Sequence, residues 1–99
     1  MGFREVAIRQ SAAESIAAVA WYLESEALLT TAEKFADDAY DFIAKLGDDR
    51  KGYRTCREPE RKLMGYKCIP YKKKYTIVFI ELDREIIVCE FMHSKKIYW

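Results

Sequence analysis

The chain of 99 residues has one histidine, three cysteines and no CxxC pair. A structural zinc site wants four Cys/His ligands at characteristic spacing, so the composition argues against a metal. Cys56, Cys68 and Cys89 are odd in number and widely spaced, which argues against a disulfide framework and for a reducing, cytoplasmic setting. Cys68 and Cys89 sit in apolar strand patterns and read as small buried hydrophobes. Glycine is scarce too. Gly2, Gly47, Gly52 and Gly65 stand alone, no glycine-rich loop can cradle a phosphate, and no cofactor is implied. No apolar run approaches the roughly 20 residues that cross a bilayer. The first ten residues are polar and alternating, unlike a signal peptide. With two prolines and no low-complexity stretch there is no linker, and one domain over residues 1–99 is expected.

What is present is apolar and charged material in quantity. Half of the residues (51%) are hydrophobic, enough to exclude a disordered chain, which cannot bury sufficient apolar surface to offset its entropy. Seventeen Lys and Arg against sixteen Asp and Glu leave a net charge of +1, which by itself argues against a polyanion partner. The charge is unevenly placed. Residues 1–49 carry −6, residues 50–75 carry +8 and residues 76–99 carry −1. Ten basic side chains in that middle segment, interleaved with Tyr53, Tyr66, Tyr71 and Tyr75, make a local field suited to phosphates or an acidic partner.

Phe3 to Arg9 alternates and predicts a short strand. Ser11-Ala-Ala-Glu14 is a capping-box pattern. Ile16, Val19, Ala20, Leu23 and Ala27 follow at helical spacing, flanked by Trp21 and Tyr22. The pattern breaks at Leu28-Leu29. Thr30-Thr-Ala-Glu33 repeats the capping signal before a second stripe of Ala32, Phe35, Ala36, Ala39, Ile43 and Leu46, and Gly47 suits the left-handed position that ends a helix. Residues 48–62 lack a period, and Pro59 allows at most a short helical turn. Leu63–Tyr71, Tyr75–Leu82 and Glu85–His93 then read as strands joined by short turns, hence antiparallel neighbours. The order β-α-α-β-β-β predicts an α+β domain, a two-helix hairpin packed on one face of a twisted antiparallel sheet. The neighbour of the first strand is left open.

This arrangement resembles the RelE/ParE toxins of bacterial type II toxin–antitoxin systems over nearly the whole chain. The first helix carries Trp21-Tyr22-Leu23, similar to the family's "Y-I/L" ending. Ala32-Glu33-Lys34-Phe35 resembles its "A-x-x-F", Tyr75-Thr-Ile-Val-Phe79 its "Y-x-I-x-Y/F" strand, Glu85-Ile-Ile-Val88 the strand that follows, and His93-Ser-Lys-Lys96 its closing "H-x-R-R". The resemblance implies a small cytoplasmic toxin silenced by a cognate antitoxin protein. RelE-like members cleave mRNA in the ribosome, and ParE-like members inhibit DNA gyrase.

Metal-free RNA cleavage needs a base for the 2′-OH, cations for the developing phosphorane charge and an acid for the leaving oxygen. By the resemblance, His93, Lys95, Lys96 and Tyr98 are the candidates, with Trp99 placed to stack on a base. His93 is of the residue type best suited to act as acid or base; at a strand end it also has a purely structural reading. One departure weighs against the nuclease. RelE-like enzymes commonly carry an arginine after the aromatic that opens the central strand, whereas here Tyr75 is followed by Thr76, which offers a phosphate no cationic fork. Arg54, Arg57, Arg61, Lys62, Lys67, Lys72, Lys73 and Lys74 are the candidate contacts to nucleic acid or to an acidic antitoxin. The expectation is therefore a toxin with an antitoxin partner and either gyrase or ribosome-bound mRNA as target, Thr76 tipping it toward gyrase. The alternatives are an mRNA interferase and a non-toxic binding module.

Overall fold

The computed structural model describes residues 4–26, 29–48 and 53–96. Strand β1 (Glu5–Ile8) leads directly into helix α1 (Gln10–Glu26), followed by α2 (Leu29–Ala44), which ends in a 3-10 turn at Lys45–Gly47. A short α3 (Pro59–Leu63) precedes the meander β2 (Lys67–Tyr71), β3 (Tyr75–Glu81) and β4 (Glu85–His93), and a 3-10 turn at Ser94–Lys96 follows. The sheet order is β1-β4-β3-β2. The meander is antiparallel as expected, with Lys67 opposite Phe79 and Tyr75 opposite His93. β1 adds a parallel edge, Val6 opposite Ile86 and Ile8 opposite Val88. The sheet is thus mixed. The long helical excursion between β1 and the meander carries the chain back to the end of the sheet where β4 also begins.

The two helical stripes meet the sheet on one face. Ala12 and Ile16 of α1 and Phe35, Ala39 and Ile43 of α2 pack on Ile77, Phe79, Ile86, Val88 and Phe91. Phe35, Tyr75 and Phe91 form edge and stacked ring pairs at 5.2–6.0 Å between centroids, the geometry that aromatic quadrupoles favour. A smaller cluster, Cys56, Cys68 and Val78 with Tyr66 and Met92, lies on the other face. α3 covers part of that second face. Pro59, free of an N–H the helix would leave unpaired, starts it, and Gly65 at φ +77° turns the chain into β2. Leu63 to Tyr66 is therefore not strand, contrary to the sequence pattern.

Three local expectations are corrected. Ser11 does not cap α1. The helix begins one residue earlier, the Arg9 carbonyl takes the Ala12 and Ala13 N–H groups at 3.0 and 3.1 Å, and the Ser11 hydroxyl donates to the Cys89 carbonyl (3.1 Å). Glu14 accepts from Gln10 instead (2.8 Å). The side chain of Thr30 lies outside the described residues. Gly47 is not left-handed: it is needed for space. Its carbonyl accepts from the Arg4 N–H (2.7 Å), and a Cβ there would fall on the Arg4 carbonyl oxygen and 2.8 Å from Val6 Cγ2. Gly47→Ala is expected to cost about 1–3 kcal/mol, the range for overpacked cores. It should show in urea melts as a lower midpoint at unchanged slope, and a wild-type midpoint would mean that β1 shifts freely.

The third correction concerns the cysteines. Cys56 and Cys68 form a disulfide. An isolated bridge between Thr55 and Lys67 lays the preceding segment along the start of β2, with the Cys56 N–H on the Tyr66 carbonyl (2.9 Å) and the Cys68 N–H on the Arg54 carbonyl (3.1 Å). This brings the two Cα atoms to 4.9 Å, inside the range a disulfide spans. Cys89 is free and buried, and burial pushes its thiol up, which suits the inert role expected of it.

Candidate binding surface

One extra residue in β4 decides which way the candidate side chains point. Phe79 pairs with Val88 and Val78 with Glu90, leaving Cys89 as a bulge. Strict alternation along Glu85–His93 would set His93 on the face opposite Ile86 and Val88. The bulge shifts the phase by one, so Phe91 and His93 turn to the helix side. The His93 ring meets Tyr75 at 5.8 Å between centroids, and its Nδ1 accepts the Lys95 N–H (3.2 Å).

Thr76 belongs to the other face. It is fully buried, and its hydroxyl shares a hydrogen bond with that of Ser94 (2.9 Å). On the same face Arg61 grips Glu90 through two parallel hydrogen bonds, at 3.1 and 2.7 Å, and pairs with Glu58 as well. Glu90 holds the guanidinium protonated beyond its ordinary range. Arg61 thus clamps α3 onto β4, and its fork is already occupied.

The basic segment, continuous in sequence, is divided by β2. Arg54, Arg57 and Lys62 are exposed at the α3 end, beside the exposed Leu63 and Met64. Lys67 is drawn inward, donating to the Thr55 hydroxyl (3.2 Å). At the far end of β2, Lys72 lies 5.5 Å from the Tyr71 ring centroid and pairs with Asp38 of α2 (3.4 Å). Burial would raise the Asp38 carboxyl, but Lys72 and Lys34 together hold it below the usual range. Lys73 and Lys74 remain exposed in the β2–β3 turn. The Ser94 N–H donates to the Lys74 carbonyl (2.8 Å), which joins this turn to Lys95 and Lys96. The structure therefore brings His93, Lys95 and Lys96 together with Lys73 and Lys74. It does not bring them together with Arg54, Arg57, Arg61 or Lys62. Tyr98 and Trp99 lie outside the described residues, as do Arg50 and Lys51 of the basic segment.

His93 and Lys96 also line a cleft of about 450 Å³ that sequence reasoning missed. Ser15, Ala18, Val19 and Tyr22 of α1 form its other wall, over a floor of Tyr75 and Phe91. The i, i+3, i+4, i+7 spacing of those α1 residues was the available signal. Among the described residues no group of His, Cys, Asp and Glu is placed to hold a metal, and no helix is long and apolar enough to cross a membrane.

No family model and no curated protein matches the sequence. Among solved structures, the chain is similar to one described as "Chromosomal ParDE TA system from P. aeruginosa", with a TM-score of 0.76 over 94% of this chain and 98% of that one. The two are 14% identical, so the likeness is one of fold. The architecture is accordingly the RelE/ParE type of α+β fold that the sequence motifs resemble.

Proposed function

We propose that this chain is the toxin of a type II toxin–antitoxin pair, held inactive by a cognate antitoxin protein, and that it is ParE-like, acting on DNA gyrase in the cytoplasm. The toxin class is supported by the fold it shares with a chain of a ParDE system and by the order of its motifs. The ParE-like reading rests on one observation: among the described residues, the strand position after Tyr75 is a buried Thr76, which offers a phosphate no cationic fork. Thr76 is buried against Ser94, Arg61 is engaged by Glu58 and Glu90, and the Cys89 bulge has turned His93 to the opposite side. In-line cleavage of RNA needs base, acid and charge stabiliser within hydrogen-bond reach of one phosphate.

The test is induction of the chain alone in a bacterium. Growth arrest with DNA damage and intact mRNA is expected, and purified chain should inhibit supercoiling by gyrase. His93→Ala should leave the arrest undiminished. Ribosome-dependent mRNA cuts abolished by His93→Ala would establish the interferase instead, using the cluster of His93, Lys95, Lys96 and Lys74. Unimpeded growth would identify a binding module without toxicity.

A further inference from the structure

Helix α3 is inverted relative to the usual amphipathic pattern, which turns apolar side chains to the core and charge to water. Arg61 is the side chain it turns to the sheet, 20% exposed and gripped by Glu58 and Glu90. Leu63 and Met64 turn to solvent, at 89% and 65% exposure. Among the described residues no large apolar side chain is more exposed than Leu63. Single apolar residues scattered over a surface need no explanation. An adjacent pair, on a helix that buries none of its residues, does. A helix used only for packing would carry its leucine where Arg61 stands.

The pair is held in one conformation. The Tyr66 N–H donates to the Arg61 carbonyl and the Gly65 N–H to the Lys62 carbonyl, both at 3.0 Å. With Gly65 at φ +77° these two bonds form the cap that ends a helix in a defined way. Leu63 and Met64 lie inside that cap. The Arg61–Glu90 fork ties the turn to β4. The Cys56 N–H on the Tyr66 carbonyl ties it to the segment that the disulfide joins to β2. Cations accompany it: Lys62 on the helix, and Arg54 and Arg57 on either side of Cys56, all exposed. Neither Arg54 nor Lys62 makes an ion pair among the described residues, whereas Arg61 does. Glu60, also exposed, is the acidic side chain that shares this helix with Lys62.

We infer that the α3 turn is the surface that docks the toxin's target, with Leu63 and Met64 seated in an apolar pocket of gyrase whose rim carries carboxylates for Arg54, Arg57 and Lys62. This assignment rests on the ParE-like reading above. A convex apolar knob needs a concave partner. A folded enzyme brings one, whereas an extended acidic segment has no pocket until it folds. The rigid mount lowers the ordering cost of docking. Met and Arg are among the residue types enriched in protein interfaces, and the cations speed encounter with an acidic surface. A nucleic acid fits less well. Glu60 on the same helix repels its phosphates, and neither Leu63 nor Met64 offers a ring on which a base could stack.

The experiment titrates intact purified gyrase with the whole chain and reads both binding and inhibition of supercoiling. Leu63→Ser/Met64→Ser and Lys62→Glu replace exposed side chains, so circular dichroism and melting should stay close to wild type. Each variant is expected to bind gyrase at least tenfold more weakly and to need at least tenfold more chain for the same inhibition. Tyr40→Gln, which takes an exposed ring from α2 on the opposite side of the sheet, should change neither. Wild-type binding and inhibition by both α3 variants would overturn the assignment and leave the gyrase reading standing. Wild-type binding to a short DNA duplex that is lost in both variants would also overturn it, by making the turn a nucleic-acid contact. So would self-association of the wild-type chain that Leu63→Ser/Met64→Ser abolishes, by making it a contact between copies. A wild-type chain that neither binds nor inhibits gyrase overturns the ParE-like reading, and this assignment with it.

Discussion

Reduction of the Cys56–Cys68 disulfide is expected to lower the stability of the fold by about 3 kcal/mol. The two residues are 12 apart in sequence, and closing a loop of that length removes roughly this much free energy from the unfolded ensemble. In a domain of this size it corresponds to a melting temperature lower by roughly 15 °C. Besides the cross-link, the segment is held by backbone hydrogen bonds with Tyr66 and Cys68, by the Lys67–Thr55 contact, and by Tyr53, whose ring packs on Phe79 and whose hydroxyl and N–H reach Leu46 and Glu81. That segment also carries Arg54 and Arg57, so the cross-link organises one end of the basic surface. Both sulfurs sit in residues at most 4% exposed, so a reductant reaches them only when the segment opens. Urea melts of the oxidised chain, of the chain with a phosphine reductant, and of Cys56→Ser/Cys68→Ser should give one high and two matching low midpoints. Three equal midpoints would mean that the pair is not bonded in solution. With one high and two low midpoints, a compartment that favours thiols would hold the chain close to the lower value.

The sequence announced the parts of this fold that repeat. Ile16 and Leu23, and Phe35, Ala39 and Ile43, lie at helical spacing, and the β-branched runs from Lys67 to His93 alternate. Periodicity reports which side of an element is buried, and both helices and the meander follow from it. What escaped depends on contacts between distant segments. Cys56 stands in a stretch without a period, so its facing was undefined until the Thr55–Lys67 bridge laid it beside β2. The parallel pairing of β1 with β4 is set by where the helical hairpin returns the chain, which no local pattern records. At the candidate surface the single residue Cys89 matters most. A bulge keeps the apolar composition of a strand while moving every later side chain to the other face, and that is how His93 left the side of Thr76. The run of +8 was legible as charge and misleading as a surface, because β2 divides it and Asp38, Glu58 and Glu90 engage two of its members, Lys72 and Arg61.

Glu81→Ala is expected to be as damaging as loss of the disulfide, for a different physical reason. Arg4 at the start of the sheet's parallel edge meets Glu81 at the end of β3 at 2.9 Å, with both side chains about nine-tenths buried. The guanidinium also donates to the Leu82 carbonyl (3.2 Å), and the second carboxylate oxygen accepts the Tyr53 N–H (3.3 Å). Removing the carboxylate takes the ion-pair partner from a buried cation and one acceptor from a backbone donor. Breaking one side of such a pair costs about 3–5 kcal/mol. The loss should be nearly independent of added salt, since ions screen a buried pair little. Replacing both partners at once removes the charge that would be stranded, so Arg4→Met/Glu81→Met should cost less than Glu81→Ala alone. That ordering, read from urea midpoints of the two variants, separates a penalty of stranded charge from simple loss of packing. If the double variant were the less stable of the two, packing of the long side chains would be the cause. The pair anchors β1, β3 and the entry to the segment at Tyr53 together. A weakened Glu81→Ala chain should therefore also expose its disulfide, and the Cys56–Cys68 bond should be reduced faster by the same phosphine than in wild type. An unchanged reduction rate would show that the segment opens independently of the sheet edge.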